Sequence, residues 1–315
     1  MKKIVFLEPL GLPGDALQSM VRQAVGQDAE LVFCGTRAED AQTLAERGRD
    51  ADAVVLSNIP FPASVMEKCP KLSYICVAFT GCDHVDLAYC RSRGIRVSNC
   101  AGYSTAAVAE LTFGLALALF RDIPSLDAAA RRGKAREGRT GRELAGRKFG
   151  IVGAGAIGLR VAALARAFGC EVLACSRTKK DAEGVAFTDL DTLLSSCDVV
   201  SLHVPLTPET KGMIGREQLA RMKKTAVLIN TARGPLVDSD ALARALGGGD
   251  LAGAGIDVFE GEPPLPPEHP LLHAKNCIVT PHVGFATEEA MARRAEIVCA
   301  NLKAYLAGAP VHLVG

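Results

Sequence analysis

The hexapeptide Gly153-Ala154-Gly155-Ala156-Ile157-Gly158 follows an apolar run, Phe149–Val152, and opens an alanine-rich stretch of helical pattern, Ala156–Phe168. In that setting each glycine has a separate use. The first permits a tight turn, the second lets a pyrophosphate approach the backbone, and the third lets helix and strand pack closely. The helix N-terminus adds partial positive charge for the phosphates. Gly153, Gly155, Ala156 and Ile157 are therefore candidate dinucleotide contacts. About 20 residues on, where an acidic side chain commonly holds the adenosine ribose, the chain reads Ala174-Cys175-Ser176-Arg177-Thr178. No carboxylate stands there to repel a 2′-phosphate, and Arg177 with the hydroxyls of Ser176 and Thr178 can donate to one. The expected cofactor is NADP in preference to NAD, with NAD as the alternative.

Three more residues have the types that chemistry beside a nicotinamide requires. Hydride addition to a carbonyl leaves a developing alkoxide, which needs a proton donor with a pKa near the working pH. Histidine meets that need, and His282 follows Pro281 at the end of an apolar run. Glu262 is a carboxylate able to orient the imidazole and stabilise its cation. Arg233 ends another run in a Gly-flanked turn, where a guanidinium can clamp a carboxylate with two parallel hydrogen bonds. Singly, each residue is what an ordinary turn carries. Together, on the ends of strands beside a dinucleotide turn, they form a catalytic set.

These residues need a scaffold that brings strand ends together. Short β-rich runs (Ile4–Leu7, Ala53–Leu56, Tyr74–Ala78, Ile95–Ser98) alternate with helical patterns (Ala16–Val25, Ala38–Arg47), the signature of a parallel sheet covered by helices. The rhythm restarts at Arg147 with Phe149–Val152, Glu171–Ala174, Val199–His203, Ala226–Asn230, Gly253–Asp257 and Cys277–Thr280. The expected fold class is α/β, with two doubly wound parallel-sheet domains. Between them Thr105 to Phe120 is apolar all round, so it is expected to be buried between domains or subunits. The basic stretch after it, Arg131 to Arg142, lacks aromatic residues for base stacking and is expected to be a solvated linker or a subunit-facing arm. A terminal helix, Glu288 to Leu306, is stopped by Gly308 and Pro310.

Several segments in order, Val108-Ala109-Glu110, the GxGxxG unit, His203-Val204-Pro205-Leu206-Thr207, Asn230-Thr231-Ala232-Arg233-Gly234, Asp257-Val258-Phe259, Glu262-Pro263 and Pro281-His282-Val283-Gly284, resemble the D-isomer-specific 2-hydroxyacid dehydrogenases. The resemblance covers nearly the whole chain. It implies hydride transfer between NADP(H) or NAD(H) and C2 of a D-2-hydroxy acid or 2-oxo acid. Arg233, Glu262 and His282 take the catalytic roles argued above, Arg233 on the substrate carboxylate. The resemblance also implies a Rossmann dinucleotide-binding domain over 101–285 and a flavodoxin-like substrate domain from 1–100 and 286–315. Chain crossings fall near Cys100 and Phe285, and a homodimer is built around the Thr105–Arg121 helix. Asp257 is placed against the nicotinamide carboxamide, and Thr105, Val204, Pro205, Thr210, Thr231, Ala232 and Gly284 join the cofactor contacts. His203 shapes the cofactor loop by packing. Phe79, Thr80 and Gly81 contribute to the substrate site, with Gly81 permitting close backbone approach. Phe79 and Phe285 stand where smaller residues are common in the family, so the substrate is expected to carry an apolar or aromatic side chain rather than to be glyoxylate or hydroxypyruvate. A phosphorylated substrate is disfavoured because Ser57-Asn58-Ile59-Pro60-Phe61-Pro62 holds no cation.

Composition excludes other classes. Thirty-six Lys and Arg against 35 Asp and Glu leave a net charge of +1 over 315 residues, so no global field draws the chain to nucleic acid or an anionic membrane. Eleven cysteines, an odd number without a CxxC pair, point to reduced thiols in the cytoplasm and to no metal site. The alternative from another class is a dinucleotide-sensing interaction protein of corepressor type with the same fold. The intact Arg233, Glu262 and His282 set argues against it.

Overall fold

The computed structural model describes residues 1–136, 138–178 and 182–314. Two compact units emerge, one of Met1–Ser104 with Ala286–Gly315 and the other of Thr105–Phe285.

The first unit is a five-stranded sheet of β1 (Lys2–Phe6), β2 (Ala29–Phe33), β3 (Ala53–Leu56), β4 (Tyr74–Val77) and β5 (Arg96–Ser98). Its order is β2-β1-β3-β4-β5 and every pairing is parallel, the flavodoxin-like winding. The sequences Ala-Val-Val-Leu and Tyr-Ile-Cys-Val of β3 and β4 are buried throughout, as expected of inner strands covered on both faces. Helix Glu288–Leu306 completes this unit from the far end of the chain. The Thr287 side chain caps it at the Ala290 N–H, and Glu288 and Glu289 lie in its first turn, where the helix dipole favours negative charge. Its Tyr305 stacks on Tyr74 at 4.3 Å. Its buried Arg294 donates to the Leu10 and Ala78 carbonyls and to the Ser57 hydroxyl, tying together three loops at strand ends.

One expectation changes here. The Ser57–Pro62 loop contains no cation of its own, but folding brings Arg37 to it. Its guanidinium donates to Asn58 Oδ1 at 2.8 Å and to the buried Glu8 carboxylate at 2.6 Å. Glu39 pairs with the same arginine at 2.8 Å.

The second unit holds seven parallel strands: β6 (Lys148–Val152), β7 (Glu171–Cys175), β8 (Val185–Phe187), β9 (Val199–Leu202), β10 (Val227–Asn230), β11 (Gly253–Ile256) and β12 (Cys277–Val279). The order β12-β11-β10-β9-β6-β7-β8 reverses direction at β6, as a Rossmann sheet does at its dinucleotide crevice. Helix Thr105–Phe120 packs within this unit, against helix Ala156–Ala167 and strands β10 and β11. Gly253 and Gly255 make room for it: a Cβ on Gly255 would come within 2.9 Å of Leu115, and one on Gly253 within 3.0 Å of Leu119. The basic stretch is also more structured than a solvated linker. Arg131 ends helix Ile123–Arg131 and pairs with Asp127, and Arg139 pairs with Asp122. Arg142 lies over the Phe120 ring at 4.3 Å and donates to the Thr225 carbonyl. Among the described residues no helix is long and apolar enough to cross a membrane.

Candidate active site

The turn after β6 has the shape that its glycines predict. Gly153 adopts φ +106°, and a Cβ there would collide with the His203 carbonyl oxygen at 2.4 Å. A Cβ on Gly158 would lie 1.9 Å from the Gly153 carbonyl oxygen, so helix Ala156–Ala167 can pack this closely only without one. Gly155 differs from both, because its missing Cβ faces open space. It is also the N-cap of that helix, and no side chain caps the first turn. A concave backbone with open space at the second glycine and helix N–H groups around it fits a pyrophosphate. A nicotinamide dinucleotide held there would lie along Gly153, Gly155, Ala156 and Ile157.

At the end of β7, Ser176 is partly exposed and Arg177 and Thr178 are exposed. The field of Arg177 reaches Glu209, whose carboxyl is held below its ordinary range by the Thr207 hydrogen bond, by its own backbone N–H and by this guanidinium. Glu209 was not foreseen from the sequence. Thr210 closes the loop after β9, taking the Thr207 N–H at 2.8 Å and donating to the Pro205 carbonyl at 2.7 Å. Val204 packs on the core under this loop and Pro205 is exposed. His203 bonds Ser201 Oγ through Nε2 at 2.7 Å. The residue is partly buried, and desolvation pushes its pKa down to about 3. Burial thus disfavours the imidazolium form of His203 at physiological pH.

The catalytic candidates follow three adjacent strands: Arg233 after β10, Glu262 after β11 and His282 after β12. His282 Nδ1 lies 2.8 and 3.0 Å from the two Glu262 carboxylate oxygens. Since a carboxylate only accepts, Nδ1 carries the hydrogen and Nε2 is left as the working nitrogen. The His282 side chain is 13% exposed and that of Glu262 41%. His282 adopts φ +56°, and its N–H is shared by the Asp257 carbonyl at 2.8 Å and the Thr280 carbonyl at 3.0 Å. The Phe285 ring stands edge-on to the imidazole at 5.5 Å.

Asp257 organises this turn, a role that the sequence did not reveal. Its Oδ1 accepts from the Thr280 hydroxyl at 2.6 Å and the Val283 N–H at 2.9 Å, and its Oδ2 accepts from the Gly284 N–H at 2.8 Å. Burial raises its pKa, opposed by these three hydrogen bonds and by His282. Gly284 is needed for the approach, because a Cβ would meet Oδ2 at 2.9 Å.

The arginine turn has its own clamp. Buried Asn230 donates through Nδ2 to the Arg233 carbonyl at 2.8 Å and accepts the Ala232 N–H at 3.1 Å. Thr231 and Thr112 share a buried hydroxyl contact at 3.2 Å, and Arg233 Nη1 donates to the Ala232 carbonyl at 2.8 Å. Gly234 sits directly on the Phe259 backbone, where any Cβ would lie 1.8 Å from a carbonyl carbon. This packs the arginine turn onto the loop that carries Glu262. Thr105 is partly exposed at the first turn of its helix.

Phe79, Thr80 and Gly81 lie in the first unit, after β4. The Phe79 ring turns inward, buried and 6.1 Å from Tyr103. Its carbonyl accepts from the Cys100 N–H at 2.9 Å, and that of Thr80 from Asn99 at 2.8 Å. Among the described residues no group of three or more His, Cys, Asp or Glu side chains is placed to hold a metal ion.

Residues 113–284 match the family model for the NAD-binding domain of the D-isomer specific 2-hydroxyacid dehydrogenases. The chain is 45% identical over 271 residues to a glyoxylate reductase of Thermofilum pendens, covering 82% of this chain and 80% of that protein. Its structure resembles an acyclic imino acid reductase in complex with NADPH and D-Arg, with TM-score 0.92 and 28% identity over 99% of this chain and all of that one. It also resembles the D-lactate dehydrogenase of Aquifex aeolicus complexed with NAD and lactic acid, with TM-score 0.87 and 31% identity over 97% and 96% of the two chains. A Rossmann sheet with a fitted phosphate turn and a histidine–glutamate pair at its strand ends thus meets whole-chain similarity to oxidoreductases that work with these cofactors, and the chain belongs to the D-isomer specific 2-hydroxyacid dehydrogenase family.

Proposed function

We propose that the protein reduces a 2-oxo acid bearing an apolar side chain to the D-2-hydroxy acid, with NADPH preferred over NADH. The observation that carries this is the two-oxygen contact of Glu262 with His282 Nδ1, with the Phe285 ring against the imidazole. A bound nicotinamide supplies the hydride. His282 holds the proton at Nε2 and releases it to the oxygen that becomes the hydroxyl, while Glu262 stabilises the imidazolium. Arg233 grips the carboxylate, and the Asp257 turn keeps the His282 backbone in its left-handed conformation. Since Phe79 packs inward on Tyr103, the apolar preference rests on Phe285. NADPH preference rests on Arg177 with Ser176 and Thr178, against which Glu209 competes for the guanidinium. The first unit acts as the substrate domain and the second as the cofactor domain. The molecule is a cytoplasmic homodimer formed through helix Thr105–Phe120, checked by a solution mass of about twice 33.1 kDa.

Turnover of a 2-oxo acid panel with each cofactor tests this reading. Branched or aromatic 2-oxo acids should give the highest kcat/KM, with NADPH ahead of NADH by about ten- to a hundredfold, the worth of a charged hydrogen bond. His282→Ala should lower kcat by about 10²–10⁴-fold. Highest efficiency with glyoxylate or hydroxypyruvate would overturn the apolar preference in favour of a second substrate class, which the likeness to the Thermofilum pendens glyoxylate reductase favours. Equal efficiency with both cofactors would remove the NADPH preference. No turnover above His282→Ala would favour a dinucleotide sensor.

A further inference from the structure

The loop that carries Glu262 leaves β11 at Asp257 and returns to the sheet only at β12. Its tip is exposed, yet the Glu262 carboxylate must hold its place against His282 to within about 0.5 Å. Three residues away from the reacting atoms close the base of this loop. Glu260 Oε1 accepts from the Ser239 hydroxyl at 2.6 Å, and its Oε2 lies 3.2 Å from His269 Nε2. The Leu271 N–H points at His269 Nδ1 at 3.4 Å, so Nδ1 accepts and Nε2–H donates to Glu260. The His269 ring stands edge-on to Phe259 at 5.4 Å, and its side chain is 12% exposed. Ser239 opens helix Ser239–Gly248, which Asp238 caps at the Ala241 N–H. Glu260 thus ties the start of the loop to its end through His269, and to a helix through Ser239.

We infer that Ser239, Glu260 and His269 form a clasp that positions Glu262 on His282, so that a contact two residues from the catalytic carboxylate sets how well the imidazolium is stabilised during reduction. The inference rests on the acid–base roles given above to Glu262 and His282. Gly261 alone separates Glu260 from Glu262, so anchoring Glu260 shortens the free chain on this side of the catalytic carboxylate to one flexible residue. Phe259, on the other side of Glu260, is fixed between the His269 ring and the Gly234 turn. The same clasp therefore sets the floor on which Arg233 rests. The charged neighbours of the clasp are Lys211, Asp238 and Asp240, which line the same groove. Besides Glu262, Asp257 acts on His282.

A clasp that only stabilised the fold would change the amount of active enzyme and leave the pH dependence of each active molecule alone. A positioning clasp moves that dependence. With Glu262 loosened, the imidazolium loses part of its partner, and reduction fails at a lower pH. The experiment is the pH–rate profile of 2-oxo acid reduction at saturating NADPH, and again at saturating NADH, for the wild type, Glu260→Ala, His269→Ala and His269→Gln, with thermal melting of each. The alkaline limb of the two alanine variants should move down by about 0.5–1 pH unit, a fraction of what a full charge partner contributes. Their kcat at the wild-type optimum should fall about tenfold. His269→Gln, whose amide replaces the Nε2–H donor, should restore the limb. If the alanine variants do not fold, Ser239→Ala removes a single hydroxyl and should give about half the shift. An unmoved limb in a folded alanine variant, or in Ser239→Ala where the alanine variants do not fold, overturns the clasp. Failure of His269→Gln to restore it does the same. His282→Ala, measured alongside, tests the acid–base reading separately: full activity there refutes that reading whatever the clasp variants do.

Discussion

His282 pays for its position with a left-handed backbone, φ +56°, which costs a non-glycine residue about 1–3 kcal/mol. Two carbonyls on its N–H, the Asp257 carboxylate on the next two amides and Glu262 on its ring together hold it there. In the proposed reaction the Glu262 contact does chemistry as well as holding. Glu262→Gln keeps an oxygen to accept from Nδ1–H and removes the charge, so it should lower kcat for reduction by about 10²-fold with KM for the oxo acid nearly unchanged. Steady-state kinetics check this, and an equal loss in KM would assign Glu262 to substrate binding instead. The pairing of Glu262 with His282 was legible in the sequence because the two types match the chemistry, and Arg233 and His282 stood out as candidates because each comes just after an apolar run. Asn230, Glu260, His269 and the turn-building role of Asp257 were not. They act through hydrogen bonds inside loops, where neither periodicity nor residue type reveals a partner.

At the scale of elements, the site depends on how closely helices approach the second sheet. Strand β11 has the sequence Gly-Ala-Gly-Ile, and its glycines are the surface against which Thr105–Phe120 lies. In Gly255→Ala the new methyl would meet Leu115 Cβ at 2.9 Å and Ile229 Cδ1 at 3.0 Å. A Cβ beside a helix backbone cannot swing aside, so the helix must move. The expected loss is about 1–3 kcal/mol, the range for overpacking a well-filled core, read from the urea unfolding midpoint. No loss would mean that the helix shifts freely on the sheet. Inner strands such as β3, β4, β9 and β10 were legible as short continuous apolar runs. The edge strands β2 and β8 were not, because their apolar runs, Leu31–Cys34 and Val185–Phe187, are only three or four residues long and are not set off on both sides by the turn clusters that bound a strand. Helix Ile123–Arg131 was hidden for another reason: its arginine end merges with the basic stretch that follows, and charge density outweighed the helical pattern.

For the whole molecule, 36 Lys and Arg stay balanced by 35 Asp and Glu only while the carboxylates are ionised, so above about pH 5 the acid response comes from a few shifted groups and not from general repulsion. His203 has its pKa lowered to about 3 by burial. A lowered pKa means that folding favours the neutral ring, so this stability is fully present above the ordinary histidine range, near 6.5, and is lost as pH falls toward 3. Glu260 and Asp198 are lowered as well. In both cases burial works against the shift and is outweighed: by hydrogen bonds from Ser239, its own backbone and His269 on Glu260, and by the Lys148 N–H and Lys223 on Asp198. Their contribution is present above the ordinary carboxylate range and is lost only below about pH 4. Asp257, raised by burial, has the opposite sign and gains on acidification. Acid should therefore weaken the protein in two stages, the upper one belonging to His203. Linkage of one proton is worth about 1.4 kcal/mol per pH unit, so lowering the pH from 7 to 5.5 should cost about 1–2 kcal/mol. His203→Asn, which keeps a polar partner for Ser201 and cannot titrate, should be less stable than the wild type at pH 7 and lose little between 7 and 5.5. Urea unfolding at pH 7, 5.5 and 4.5 distinguishes the cases. An equally steep upper stage in the variant would show that its protons go elsewhere.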